Sequence, residues 1–174
     1  YLLSVGHQQR VKGFDRILGV ARSVQAARAG ARFVLVGSTR GEPAFRRRLQ
    51  AGLADCNRGR PPDDPLVRLL GPVPAHQLNL MLNAADVLVN ASRSEGWCNA
   101  ITEALACGTP VVAADVGGNA EQIQTPELGL LVPGDDPGAL TAALVDALDR
   151  VWDRGAIAAA GAARSWDDVA GQVH

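Results

Sequence analysis

The chain has 174 residues, a formal net charge of −1 and 47% hydrophobic residues. That length gives one domain, 1–174, with a sizeable core, and the near-balanced charge excludes a dedicated nucleic-acid binder or a surface drawn to strongly anionic membranes. No apolar run reaches the roughly 18 residues of a membrane span.

The chain opens at Tyr1, inside an apolar run, with neither Met nor a basic-then-apolar leader, which predicts a fragment or excised domain. Tyr1 to Val5 reads as a buried strand that feeds a polar turn, Gly6 to Gly13. Phe14-Asp15 opens a helix whose apolar stripe, Ile17, Leu18, Ala21 and Val24, runs to about Ala29, and Gly30 ends it. Arg32 to Gly37 is a second strand, so a parallel pair with a helical crossover is the natural unit. Glu42 to Asp55 reads as a helix with Phe45, Leu49 and Leu53 on one side and Arg46-Arg47-Arg48 on a solvated face. Asn57 to Pro65 is a loop, Leu66 to Leu70 a third strand, and Gly71-Pro72-Val73-Pro74 the turn after it. A helix over Ala75 to Ala85 buries Leu78, Met81 and Leu82 and leaves His76 exposed; Asp86 to Val89 is the fourth strand.

The next stretch, Ser92 to Val112, organises the rest. A polar turn carries Glu95-Gly96, a helical pattern runs from near Trp97 to Cys107, Gly108-Thr109-Pro110 stops it, and Val111 to Ala114 starts a fifth strand. A helix N-terminus exposes unpaired N–H groups and partial positive charge, so it can hold a phosphate. Gly96 would let a ligand approach the backbone. Asn99 and Glu103, four apart, share a helix face, which suits a carboxylate accepting from a ribose diol one turn in from a phosphate; Glu95 at the lip would face a sugar. Acids near a helix start are also favoured in their own right. Asp115 to Glu121 is a glycine turn and helix start, with Gly117 and Gly118 offering backbone amides to a ligand. Leu128 to Val132 is a short strand. A helix capped by Asp135 or Asp136, with Pro137 first, carries Leu140, Ala143, Leu144, Ala147, Leu148 and Val151. Ala156 to Arg164 is a further helix.

Cys56, Cys98 and Cys107 form no metal-ligand spacing, and the latter two, placed nine apart on one helix, point to opposite faces. Free thiols in a cytoplasmic setting are predicted. Of 17 basic residues Lys12 alone is lysine.

Glu95, Gly96, Trp97, Asn99, Glu103, Ala104, Leu105, Ala106, Gly108, Pro110, Val111 and Val112 together resemble the carboxyl-terminal, donor-binding domain of glycosyltransferase family 4, a GT-B-fold family of retaining enzymes. The similarity runs from Val5-Gly6 to Ser165-Trp166-Asp167. It implies a nucleotide-diphospho-sugar donor and no divalent metal. Lys12-Gly13 matches the family's first loop, whose Arg and Lys contact the donor diphosphate; His7 stands where Arg is usual, which weakens that clamp or passes part of it to Arg10. The backbone at Val73 would read the nucleotide base. The helix start, Asn99, Ala100 and Ile101, would hold the diphosphate, Glu103 the ribose, and Glu95 the transferred sugar. Gly117 and Gly118 fall in a G-G-x-x-E loop that lies near the family's donor site. Cys98 departs from the Gly or Pro frequent at its place and would narrow the approach to the sugar. Trp166 would start a terminal helix packing toward a partner domain.

Repeated strand–helix alternation predicts a doubly wound, Rossmann-like α/β fold with a parallel sheet, the C-terminal half of a GT-B enzyme, with the four loops above converging at the carboxyl ends of the strands. The expected function is donor binding in a glycosyltransferase. The acceptor, a saccharide, a lipid or another molecule, would bind an absent N-terminal domain, and peripheral membrane association would belong to the whole protein. Competing readings are a nucleotide-sugar epimerase half-domain of the same fold, a non-catalytic nucleotide-sugar module, and an interaction domain with no ligand.

Overall fold

The computed structural model describes residues 1–38 and 42–163. Six four-residue strands form one all-parallel sheet: β1 (Leu2–Val5), β2 (Phe33–Val36), β3 (Val67–Leu70), β4 (Val87–Asn90), β5 (Val111–Ala114) and β6 (Gly129–Val132). Their order, β3-β2-β1-β4-β5-β6, reverses direction between β1 and β4. There the crossovers diverge and a crevice opens at the carboxyl ends of the strands.

Both faces of the sheet are covered, which is why the strands read as continuous apolar runs. Leu2, Val87, Val89 and Val112 face one cluster with Phe14, Ile17 and Val24 of α1 (Phe14–Ala27), Phe45 and Leu49 of α2 (Pro43–Cys56), and Leu140 and Leu144 of α6 (Pro137–Asp149). Leu3, Leu88, Val111 and Ala113 face a second, with Leu82 of α3 (Ala75–Ala84), Ile101, Ala104 and Leu105 of α4 (Asn99–Ala106), and Ile157 of α7 (Arg154–Ala162). Successive residues along each strand thus serve opposite layers. The α7 helix closes the second layer. A Cβ on Gly161 would lie 2.4 Å from the Leu105 carbonyl carbon, so the two helices touch backbone to backbone. Arg154 ties that end down by donating to the Ala85 carbonyl and to the Thr109 hydroxyl at 2.8 and 2.9 Å.

Several expectations shift. The first helix stops at Ala27, before Gly30. Asp136, not Asp135, caps α6, its Oδ1 accepting from Ala139 N at 2.9 Å; Asp135 pairs with Arg16 instead. Val151 lies beyond α6, which ends at Asp149, and is 96% exposed. The last helix starts at Arg154, where Asp153 caps it through Ala156 N at 2.9 Å. The expected Trp166 contact lies outside the described residues. Arg46, Arg47, Arg48 and His76 are exposed, as the patterning requires.

Candidate functional site

The loop after β1 is folded so that Lys12 reaches the end of β4. A 3-10 turn, Arg10–Lys12, ends at Gly13, whose φ of 69° is left-handed. A Cβ on Gly13 would lie 1.8 Å from the Ala91 carbonyl oxygen, so only glycine lets this loop press against the residue following β4. Arg93 reinforces the junction. Its amide donates to Val11 O at 2.7 Å, and its guanidinium forks onto Asp15 at 2.9 and 2.8 Å. Burial works against the Asp15 charge, but the Arg93 bonds outweigh it and hold that carboxyl below its ordinary value.

With the loops so placed, Lys12 Nζ donates to both oxygens of Glu95, at 2.8 and 2.9 Å, across 83 positions of sequence. The Glu95 side chain is only 6% exposed and Lys12 26%. Ser92 Oγ donates to Glu95 Oε1 at 2.8 Å, and Asn90 Nδ2 approaches the same oxygen at 3.4 Å. Glu95 therefore does not stand at the lip. Three donors draw its carboxylate inward, and it reaches the cleft through Lys12. The other donor of Asn90 goes to the Cys98 thiol at 2.9 Å, and its Oδ1 accepts from Ser92 N at 3.0 Å, so one side chain at the end of β4 braces the whole turn.

The α4 helix begins at Asn99, two residues later than its pattern suggests, because Cys98 is held extended (φ −93°, ψ 100°). Gln122 bonds both sides of its backbone, accepting from Cys98 N at 3.1 Å and donating to Cys98 O at 3.0 Å. Cys98 and Cys107 consequently stand at the two ends of α4 rather than within it, and all three cysteines are free. Burial pushes the Cys98 thiol above its ordinary value, which keeps it un-ionised.

The double glycine shapes this turn from the other side. Gly117 has φ 53°, and a Cβ there would lie 1.7 Å from the Glu95 carbonyl oxygen; one on Gly118 would lie 2.3 Å from that of Gly96. Gly118 N donates to Gly96 O at 3.2 Å. These glycines are required for loop-to-loop packing, and the Gly118 amide is spent there. A Cβ on Gly96 itself would meet nothing within 4 Å, so this backbone is open to an approaching group.

The result is a cleft of roughly 390 Å³ at the β1–β4 reversal. Of the residues singled out in the sequence, His7, Lys12, Val73, Trp97, Cys98, Asn99, Ala100 and Glu103 line it. Arg10, Glu95, Gly96, Ile101, Gly117 and Gly118 do not: Arg10 is exposed elsewhere on the 3-10 turn, Glu95 sits behind Lys12 and Ile101 is fully buried. The first-turn amides of α4, among them those of Asn99 and Ala100, fall where a helix has no intrahelical acceptor for them. Glu103 sits in the helix with an exposed carboxylate and no hydrogen-bond partner among the described residues. Shelter on its cleft side pushes its carboxyl above the ordinary value. His7 bonds Ser38 Oγ through Nδ1 at 2.6 Å, and Ser38, Gly37, Gly6, Pro72 and Leu78 form further parts of the wall, with Val5 and Val36 at the strand ends. Sequence reading missed Ser92, Asn90, Arg93 and Gln122; the local signal for the first three was polar residues at a strand end, and Gln122, in the short helix Asn119–Gln122, carried none.

A second depression, of roughly 250 Å³, lies between α1 and the β6–α6 turn. Its one cation among the described residues, Arg16, is already committed to the carbonyls of Ala91 and Ser92, both at 3.2 Å, and to Asp135. Among the described residues no group of three or more His, Cys, Asp or Glu side chains is placed to hold a metal ion, and no helix is long and apolar enough to cross a membrane.

A family profile described as glycosyl transferases group 1 matches residues 1–150. D-inositol 3-phosphate glycosyltransferase 2 of Catenulispora acidiphila is 38% identical over 183 aligned positions, covering 97% of this chain and 40% of that protein. The GDP-mannose-dependent monoacylated alpha-(1-6)-phosphatidylinositol monomannoside mannosyltransferase of Corynebacterium glutamicum is 33% identical, covering 90% of this chain and 41% of its own length. Among solved structures, sucrose-phosphate synthase from Thermosynechococcus elongatus superposes with a TM-score of 0.74 at 31% identity, over 99% of this chain and 43% of that one. The chain thus spans about two fifths of the length of the curated relatives it matches.

Proposed function

The chain belongs to the group 1 glycosyltransferases, and we propose that it forms the donor-binding half of a retaining enzyme that moves a sugar from a nucleotide-diphospho-sugar to an acceptor held by a second domain. The observation that carries this reading is the assembly of Lys12, the start of α4 and Glu103 around one cleft from segments far apart in sequence, with Glu95 paired to Lys12 behind it. In this reading the diphosphate lies between Lys12 and the first-turn amides of α4 at Asn99 and Ala100; the Ile101 amide, expected to join them, already donates to the Cys98 carbonyl at 3.0 Å. Leaving-group charge that develops as the sugar departs is met by donors already in place. Each well-aimed donor in such a site contributes about 2.7–4 kcal/mol to the transition state. Glu103, unpartnered and one turn in, accepts from the ribose hydroxyls. The base lies against the Pro72–Val73 turn, and Glu95 meets the transferred sugar. Charge neutralisation falls to Lys12 and the helix end, without a divalent metal.

The relatives' names guide the choice of ligands. One names GDP-mannose as donor, and the two name an inositol phosphate and a phosphatidylinositol mannoside. A polyol or lipid acceptor, and with it peripheral attachment of the whole protein to a membrane, is the corresponding expectation for this one. The free cysteines suit a cytoplasmic location.

The test is a thermal-shift panel with UDP, GDP, ADP and their sugar conjugates on the chain and on Glu103→Ala. A ligand that binds only the folded state at about a hundredfold excess over Kd adds ~2.7 kcal/mol. A shift with one nucleotide family, lost in Glu103→Ala, is the expected result. A flat panel both here and in a longer chain carrying the second domain would refute the donor site.

A further inference from the structure

The two oxygens of Glu95 are not equally provided for. Oε1 accepts from Lys12 at 2.8 Å, from Ser92 Oγ at 2.8 Å and, at longer range, from Asn90 at 3.4 Å. Among the described residues Oε2 accepts from Lys12 alone, at 2.9 Å. The carboxylate is 6% exposed, so Lys12 is the cation that makes its charge tolerable there. Lys12 is also the cleft-lining cation nearest to hand for an entering diphosphate.

We propose that Glu95 and the diphosphate compete for Lys12, so that Glu95 is a specificity-determining residue that selects the sugar-bearing donor over the bare nucleoside diphosphate. This rests on the donor-site reading above. As a diphosphate draws the ammonium towards itself, Oε2 loses the one partner it has among the described residues. A phosphate oxygen cannot replace it, because both groups are acceptors at neutral pH. A sugar hydroxyl can, because it donates. The donor therefore repairs the contact it disturbs, whereas the product left after transfer does not, and Lys12 is drawn back to Glu95 as the product leaves. The same ion pair thus loosens the product while the sugar-bearing substrate keeps its hold.

Isothermal titration calorimetry with inorganic pyrophosphate, and with the pairs UDP/UDP-glucose and GDP/GDP-mannose, tests this on the wild-type chain, Glu95→Gln, Glu95→Ala and Lys12→Met. Glu95→Gln keeps the shape and the Oε1 acceptor but removes the competing charge. Pyrophosphate and the bound nucleoside diphosphate should bind it about fivefold more tightly than wild type, equivalent to ~1 kcal/mol. The wild-type preference for the sugar conjugate should shrink or vanish. Glu95→Ala should move pyrophosphate affinity in the same direction. Unchanged or weaker pyrophosphate binding in both Glu95 variants, with binding still abolished by Lys12→Met, would overturn the competition and leave the donor site standing. Binding that ignores Lys12, or no binding by any variant either here or in a longer chain carrying the second domain, would remove the donor site and the competition together.

Discussion

The Ser92–Cys98 turn and helix α4 carry one carboxylate each and treat them in opposite ways. In the turn, Glu95 is buried, ion-paired and bonded on both oxygens before any ligand arrives. In the helix, Glu103 is held in place by backbone alone, with both oxygens unclaimed among the described residues and its ionised form disfavoured by its surroundings. The first arrangement fixes geometry in advance and makes each ligand exchange one partner for another. The second leaves an acceptor whose full set of bonds awaits a donor. A cleft that binds a bulky, doubly anionic molecule needs both, since a group with spare capacity supplies affinity and a saturated one supplies selection.

The change that should damage this contrast most is Gly117→Val. Its Cβ would lie 1.7 Å from the Glu95 carbonyl oxygen at a left-handed backbone position, so the turn that shapes Glu95 must move. Strain and overpacking together predict a loss of about 3 kcal/mol in a urea melt. The partner change, Lys12→Met, strands the Glu95 charge. Because Lys12 is 26% exposed and Ser92 still donates, the cost is screened below that of a fully buried pair, at about 2 kcal/mol. Adding Glu95→Gln to Lys12→Met should restore most of it, as the double-mutant cycle would record. A double variant no more stable than Lys12→Met would mean that burial of charge is not what the pair offsets.

The sheet was legible because its causes are local. Apolar runs of four or five residues, glycine turns and helical stripes recur at intervals that suit parallel strands, and the strands lie as that pattern requires. A loop that follows a parallel strand must emerge at that edge, so the motif loop lies at the reversal; of its singled-out residues Trp97, Cys98, Asn99, Ala100 and Glu103 line the cleft, while Glu95, Gly96 and Ile101 do not. What stayed hidden depends on long-range partners. Nothing near Glu95 in sequence announces that Lys12 will neutralise it. The late start of α4 comes from the Gln122 side chain, 24 positions on, which competes for the Cys98 backbone. The double glycine looked like a ligand cradle; its missing side chains instead make room for the neighbouring turn. Val151 extended the apolar stripe of α6 on paper, but the helix had already ended.

Glu103→Gln should separate the helix from the turn, with little change in stability and a clear loss in binding. Removing one charge-assisted acceptor for a diol predicts about a tenfold weaker nucleotide, ~1.4 kcal/mol. The pH dependence has a definite sign. Glu103 is raised in the folded state, so its protonated form is favoured by folding. That contribution is complete below the unfolded carboxylate value and is lost as pH rises through the folded one. At neutral pH the Gln variant should therefore match or slightly exceed wild type, within about 0.5 kcal/mol for so exposed a site. Below the ordinary carboxylate range the small advantage should disappear.

The smallest effect concerns the first loop, where His7 and Arg10 were alternatives for the second diphosphate contact. His7 lines the cleft and bonds Ser38 on its wall, whereas Arg10 is exposed on the 3-10 turn and its carbonyl serves Arg93. Only the first is placed to act at short range. An exposed cation beyond the rim contributes through screened attraction, which falls away over about 8 Å at physiological ionic strength. Arg10→Ala should therefore change pyrophosphate affinity less than about twofold, and that change should fade as salt is raised. His7→Ala should cost about threefold, the equivalent of a modest hydrogen bond, and the loss should persist at high salt because it removes a contact rather than a field. The reverse pattern, a salt-insensitive loss in Arg10→Ala with none in His7→Ala, would show that the 3-10 turn swings over the cleft when the anion binds. The Lys12–Glu95 pair, carried on that same turn, would then have to break during entry rather than at the diphosphate.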